Sequence, residues 1–270
     1  MHAKSIIWAL AMLIALLLSS CEKELEFEYH DIPAIPVVEG EFTDDGVSVS
    51  LTQTTPMDEP LDVTRLTDAT VTLTDLTAGT ESTLTSDAEG FFRAADGGIT
   101  GHDYRLTVER GGNRFEATTT MLPATEIVGL EFNWIAMPYD DVAVLQGKFR
   151  TVEATHCYWA RVYRNGEVYF WQEMKDFTAV DGVVTFTVMT TRRDISAVDD
   201  NDDRVIYDGD VITVSITPIT EEMHDYLEAL KNGSNGPAMF SGPKCLGFFM
   251  ASTPVSSSIV FHPDEIPEYK

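Results

Sequence analysis

The sequence predicts an all-β protein: two β-sandwich-like domains in tandem on a lipidated N-terminal tether, with one short helix in the second domain. Three observations predict it. Short runs that alternate apolar and polar residues recur from residue 37 to residue 261, each bounded by Gly, Asn, Asp or Pro; this is the pattern of half-buried strands joined by tight turns. One stretch, opening at Thr220, carries helical spacing instead. The first twenty residues have the layout of an export signal that ends in a cysteine.

Residues 1–20 are an address rather than part of the fold. Lys4 supplies the positive start, and Ile6 to Leu18 is an unbroken apolar run of 13 residues. A membrane span needs about 20 residues, so this run has the length of a signal-peptide core and not of a transmembrane helix. Leu18-Ser-Ser-Cys21 follows at once and resembles the lipobox of bacterial lipoproteins, in which the cysteine is diacylated and becomes the new N-terminus. Diacylglycerol and palmitate on Cys21 hold a chain on a membrane far more firmly than a single acyl chain does. Glu22, Glu24, Glu26 and Glu28 follow; acids directly after the cysteine resemble a surface-export signal of Gram-negative lipoproteins. The expected location is the outer membrane at the cell surface, with the periplasmic face as the alternative. Residues 21–36 form the tether, which Pro33 and Pro36 keep extended.

The first domain is expected over 37–123, as an immunoglobulin-like or carboxypeptidase-regulatory-like sandwich. Val47-Ser-Val-Ser-Leu51 and Ala69-Thr-Val-Thr-Leu-Thr74 alternate with period two. Ser86-Asp-Ala-Glu-Gly90 is turn chemistry, and Phe91-Phe-Arg93 restarts a strand. Tyr104-Arg-Leu-Thr-Val108 and Phe115-Glu-Ala-Thr-Thr-Thr120 flank the hairpin turn Arg110-Gly-Gly-Asn113. The second domain, 124–270, opens with strands at 127–132 and 142–149. Tyr158–Tyr163 and Val168–Trp171 flank Arg164-Asn-Gly-Glu167, where Asn-Gly is the strongest short hairpin signal. Val183–Val188 and Val211–Ile216 are further strands, and Leu246–Met250 and Ser258–Phe261 close the domain. The helix is expected at 221–231. Thr220 caps it, Glu221 and Glu222 suit the positive end of the dipole, Met223, Tyr226, Leu227 and Leu230 make the apolar stripe, and Gly233 ends it.

The charge balance excludes some functions. Against 18 Lys and Arg stand 44 Asp and Glu, a net charge of −26, which disfavours nucleic acid and basic docking on anionic lipid. The sequence holds no Gly-x-Ser-x-Gly elbow and no His-Glu-x-x-His. Gly236–Lys244 has the wrong spacing for a phosphate loop, and Pro243 interrupts it. His156 and Cys157 are neighbours, but on a strand they point to opposite faces. Glu221 and His224 are one turn apart on the helix without the second copy that a di-iron site needs.

Two metal and contact candidates remain. Asp199, Asn201 and Asp203 have the one-three-five spacing of a calcium loop, with Asp210 at position twelve; Arg204 occupies the place of the turn glycine, and the alternative is a solvated acidic hairpin tip. Trp134 and Tyr139 flank the Pro138 turn and are the aromatics expected at the surface as partner or ligand contacts. Cys157 and Cys245 either pair in the oxidising envelope or stay as two buried thiols. No catalytic residue and no cofactor other than calcium is expected.

The order of several pieces resembles the bacterial outer-membrane lipoproteins of the domain of unknown function 4249 family. They are Val37-Val-Glu-Gly40, Gly101-His-Asp-Tyr-Arg-Leu-Thr-Val108, Phe115–Pro123, Tyr158-Trp-Ala-Arg-Val162 and Gly242-Pro-Lys-Cys-Leu-Gly-Phe-Phe249. The resemblance implies two β-domains on a lipid tether. It also implies a non-catalytic accessory role beside a TonB-dependent outer-membrane nutrient transporter. The alternative is a free-standing surface ligand-binding or adhesion module, calcium-assisted at the Asp199–Asp203 tip.

Overall fold

A computed structural model describes residues 33–56, 60, 63–138, 141–192, 205–234 and 236–267. Cys21, Tyr139, Asp199, Asn201 and Asp203 lie outside the described residues. The first sandwich is built from β1 (Pro36–Thr43), β2 (Gly46–Gln53), β3 (Thr70–Asp75), β4 (Thr80–Ser86), β5 (Phe92–Ala94), β6 (Asp103–Arg110) and β7 (Asn113–Thr120). The second takes β8 (Ile127–Ala136), β9 (Asp141–Arg150), β10 (Cys157–Arg164), β11 (Glu167–Lys175), β12 (Val183–Arg192), β13 (Val211–Ile219) and β15 (Val255–Val260). Between β13 and β15 the chain forms helix α1 (Glu221–Lys231) and strand β14 (Leu246–Ala251). No helix among the described residues is long and apolar enough to cross a membrane.

Alternation builds the first sandwich as the sequence predicts. Val47, Val49 and Leu51 of β2, Val71 and Leu73 of β3, and Phe115 and Ala117 of β7 point inward. The strand order is β14-β1-β2-β5-β4-β3-β6-β7. Single bridges from Glu116 to Ser241 and from Leu122 to Ser252 bring the two ends of that order together, so the sheet folds over its own core and nearly closes. The Arg110–Asn113 turn is the predicted two-residue hairpin, with Gly111 at φ 58° and Gly112 at φ 80°.

The second sandwich packs a three-stranded sheet, β12-β9-β8, on a four-stranded one, β11-β10-β13-β15. This three-plus-four division is an immunoglobulin-type arrangement. Its core holds Phe132, Leu145, Phe149, Tyr158, Val162, Val184, Phe186, Ile216 and Phe261. Asn165 (φ 51°) and Gly166 (φ 90°) form the predicted tight turn. The helix spans 221–231 as the sequence predicts, and the Thr220 hydroxyl accepts from the Met223 amide.

The boundary expected at residue 123 fails for β14. Residues 246–251 do not close the second sandwich. They pair in parallel with β1, Val38 opposite Gly247 and Gly40 opposite Phe249. A strand buried on both faces accounts for this. Cys245, Phe249 and Ala251 enter the first core, while Phe248 and Met250 face the other way. There they meet Cys157, Ile219, Met223 and Leu227, with Trp159, Trp171 and Tyr226 around them, in a third core. Edge-on aromatic contacts order it: Trp159 stands 6.5 Å from Trp171 and 6.2 Å from Phe248. Arg161 of β10 lies 4.3 Å over the Trp159 ring and reaches Glu41 of β1 at 3.1 Å. Residues 34–270 accordingly form one compact unit.

Candidate functional site

The site expectations of the second sandwich need two corrections. Trp134 is 4% exposed. Strand β8 runs on past residue 132, so alternation sends Phe132 and Trp134 together into the core, and the indole donates to the Pro263 carbonyl at 3.4 Å. Asp210 is not open to a cation. Its Oδ2 accepts from Arg164 Nε at 2.7 Å and from the Tyr207 amide at 2.8 Å, and its Oδ1 accepts from the Asn165 side-chain amide at 2.7 Å. The carboxylate staples the Asn165-Gly166 turn to the chain entering β13. A carboxylate at position twelve of a calcium loop and a turn-stapling carboxylate look alike in sequence, and at Asp210 the second use prevails.

Cys157 and Cys245 are both free and buried. They belong to different apolar clusters, Cys157 to the third core and Cys245 to the first. Burial raises both thiols above their ordinary range, Cys245 to about 11. For Cys157, the nearby acids Glu221, Asp225 and Asp176 add to the rise and Lys175 opposes it. A thiol so placed is a poor nucleophile. We expect a maleimide to leave both unlabelled in the native protein and to label them on unfolding. Denatured protein from native membranes should titrate two of its three cysteines, because Cys21 is expected to carry lipid. Rapid native labelling would contradict the burial, and a third reactive thiol would contradict the anchor.

What the structure does bring together lies at the junction of the sandwiches. A cleft of about 720 Å³ opens there. The first sandwich contributes Thr100, Gly101, Thr120 and Met121, and Leu122 and Pro123 come from the connection between the sandwiches. The β9–β10 loop adds Ala154, Thr155 and His156, beside Cys157 of β10. Lys175 ends β11, Phe177 sits on the short 3-10 turn after it, and Thr220 and Glu221 open α1. Hydrogen bonds fix the walls. The Leu122 amide donates to the Ala251 carbonyl at 3.0 Å, the Gly101 amide to the Met121 carbonyl at 2.8 Å, and the Thr155 hydroxyl to the Ile219 carbonyl at 2.6 Å.

An ion pair and a histidine–carboxylate contact line the rim. Lys175 Nζ is 3.1 Å from Glu221 Oε1, and this bond raises the lysine further above its ordinary value. His156 Nδ1 is 3.1 Å from Asp176 Oδ2; the imidazole is 74% exposed and the carboxylate only 11%. The neighbouring Cys157 thiol is buried and held above its ordinary range, so the His156–Asp176 pair has no ready thiolate to serve. Phe177 is 82% exposed, and Ile99, next to Thr100, is 55% exposed. Sequence reading missed Phe177, Lys175 and Asp176. The one available signal was a phenylalanine inside an otherwise polar turn segment, Lys175-Asp-Phe-Thr178.

On α1 itself, ligating atoms of His224, Asp225 and Glu228 lie within 4.8 Å of one another. Helical spacing alone produces that grouping. The pair Glu221 and His224 does not act together: Glu221 turns to Lys175, and His224 is buried beside Asp225 at 3.3 Å.

The fold and the cleft thus define a tandem β-sandwich protein whose two halves share a strand and enclose an open, largely apolar junction. The chain belongs to the family described as a domain of unknown function (DUF4249), whose profile matches residues 22–258. No curated protein matches it. Among solved structures it is similar to the BSP domain of a biofilm associated protein, at 18% identity and TM-score 0.24, over 67% of this chain and 26% of that one. It is also similar to a two fibronectin type-III domain segment from chicken tenascin, at 13% identity and TM-score 0.23, over 84% of this chain and 99% of that one. At these scores the likeness adds nothing to what the strand order establishes.

Proposed function

We infer that this chain is a non-catalytic cell-envelope lipoprotein, anchored through Cys21, that binds a partner as the accessory of a TonB-dependent outer-membrane transporter. The observation that carries the binding role is the cleft with Phe177 standing 82% exposed at its mouth. An exposed aromatic that continues the apolar lining of a concave site is the kind of anchor that partner interfaces use. The shared strand and the third core hold the cleft walls in fixed positions, and preformed surfaces bind without an ordering cost. The transporter as partner rests on the lipobox and on what membership of this family implies.

The test is purification from native outer membrane in mild detergent, with mass spectrometry of what co-elutes. Stoichiometric recovery of a TonB-dependent receptor is the expected result. Recovery of the lipoprotein alone would remove the transporter from the reading and leave a free-standing binding module.

A further inference from the structure

We propose that the junction cleft docks a basic, apolar segment of a partner protein: an extended stretch whose aromatic or aliphatic side chain enters beside Phe177 and Leu122, with lysine or arginine on either side at the carboxylate rim. The proposal rests on the reading of this chain as a partner-binding component and names the chemistry of what it binds.

Three observations lead to it. The volume, about 720 Å³, falls within the range of ligand sites and admits one or two large side chains. Most of the surface it presents is apolar, from Met121, Leu122, Pro123, Ala154 and Phe177, with threonines and the charged groups set around it. The charge around it is unbalanced. Two carboxylates stand at the rim, Glu221 and Asp176 beside His156, against the single ammonium of Lys175. That ammonium is already bound to Glu221 at 3.1 Å. Fixed negative potential over an apolar concavity selects a cationic, apolar visitor and speeds its arrival.

The same charge argument rejects the nearer occupants. Residues 193–204 of this chain carry five Asp against two Arg, and residues 22–32 carry five acids against one Lys. Either would bring like charge to the rim. A second copy brings a net charge of −26, and the repulsion opposes it.

The test is fluorescence anisotropy on the full chain in detergent. The probe is a fluorescein-labelled, amidated octapeptide alternating lysine with phenylalanine. Two comparison peptides replace phenylalanine by serine, or lysine by glutamate. The lysine–phenylalanine peptide should bind saturably, one per chain, and the other two at least about tenfold more weakly. Phe177→Ser should weaken binding about tenfold or more, as loss of a central aromatic contact does. Because Phe177 is 82% exposed, this change should leave the melting temperature where it was.

Asp176→Asn with Glu221→Gln should weaken binding and flatten its dependence on salt. Glu167→Gln, at the far end of β11 and about 26 Å away by strand rise, should change nothing. Equal binding of the lysine–serine peptide, or indifference to Phe177→Ser, would reduce the effect to general attraction between opposite charges and overturn the proposal. So would the absence of binding. A receptor that co-purifies equally well with the Phe177→Ser protein would leave the accessory reading standing while removing the cleft from it.

Discussion

Gly247→Ala is expected to lower the melting temperature by about 10 °C. Gly247 sits in β14 at φ +102°, and a Cβ there would lie 1.9 Å from the carbonyl oxygen of Val38. Val38 is its ladder partner on β1. Neither group is a flexible side-chain end, so the strands themselves must separate. The positive φ costs about 1–3 kcal/mol for a residue with a Cβ, and the disturbed ladder adds about 1 kcal/mol for each bond lost. Packing multiplies the damage. Phe249 on one face and Phe248 on the other are anchored by the same strand, in two different cores.

Gly101→Ala is the control. It too has positive φ, +84°, but nothing lies within 4 Å of the added methyl, so only the backbone strain of about 1–3 kcal/mol should appear, without the ladder and packing losses. Scanning calorimetry measures both. Faster proteolysis between residues 232 and 245 in the Gly247 variant would report the loosened strand. Equal melting of the two variants would mean that β14 does not pair with β1.

The helix and the two Gly-containing hairpins were legible because their signals are local. Thr220, Glu221, Glu222 and Gly233 specify both ends of α1 without reference to anything distant. The Asn165-Gly166 and Gly111-Gly112 turns likewise carry their own φ requirement. Strand β4 was not legible. Thr80–Ser86 is polar on both faces, with Leu84 alone buried, so it shows no period. The destination of β14 was hidden for the opposite reason. Leu246–Ala251 is apolar at nearly every position. A continuous apolar run announces burial on two faces and says nothing about which sheet supplies the partner.

The cleft was illegible because it has no local signature at all. Its walls come from turns more than a hundred residues apart, and each piece taken singly is an ordinary loop. What creates it is the excursion between β13 and β15. In a simple sandwich those strands would be joined directly. Here the chain leaves to form α1, adds β14 to the first sheet, and returns. The third core forms around that excursion, and it fixes the first turn of α1 opposite Met121 and Leu122. The candidate site is therefore a consequence of the shared strand, and a variant that loosens β14 should also widen the cleft.

Asp210→Ala is the second large effect expected, a loss of about 3 kcal/mol at neutral pH. Its side chain is 12% exposed and that of Arg164 20%, so solvent screens their 2.7 Å contact little. Removing the carboxylate withdraws one partner each from the Arg164 guanidinium, the Asn165 amide and the Tyr207 N–H. A buried donor that loses its acceptor costs more than the bond itself contributed. Asp210→Asn keeps the shape and one accepting oxygen and should fall between the two.

The effect should depend on pH in a defined sense. Burial alone would raise the Asp210 carboxyl; the Tyr207 N–H, Asn165 and Arg164 outweigh burial and hold it below the ordinary value of 3.8. A depressed carboxylate contributes stability above its unfolded value and loses that contribution as pH falls through its folded value. The gap between parent and Asp210→Ala should therefore be complete from about pH 5 upward and close as pH drops below about 4. Thermal melts across that range decide it. A gap that stays constant down to about pH 2 would show that the charge of Asp210 is not what staples the turn.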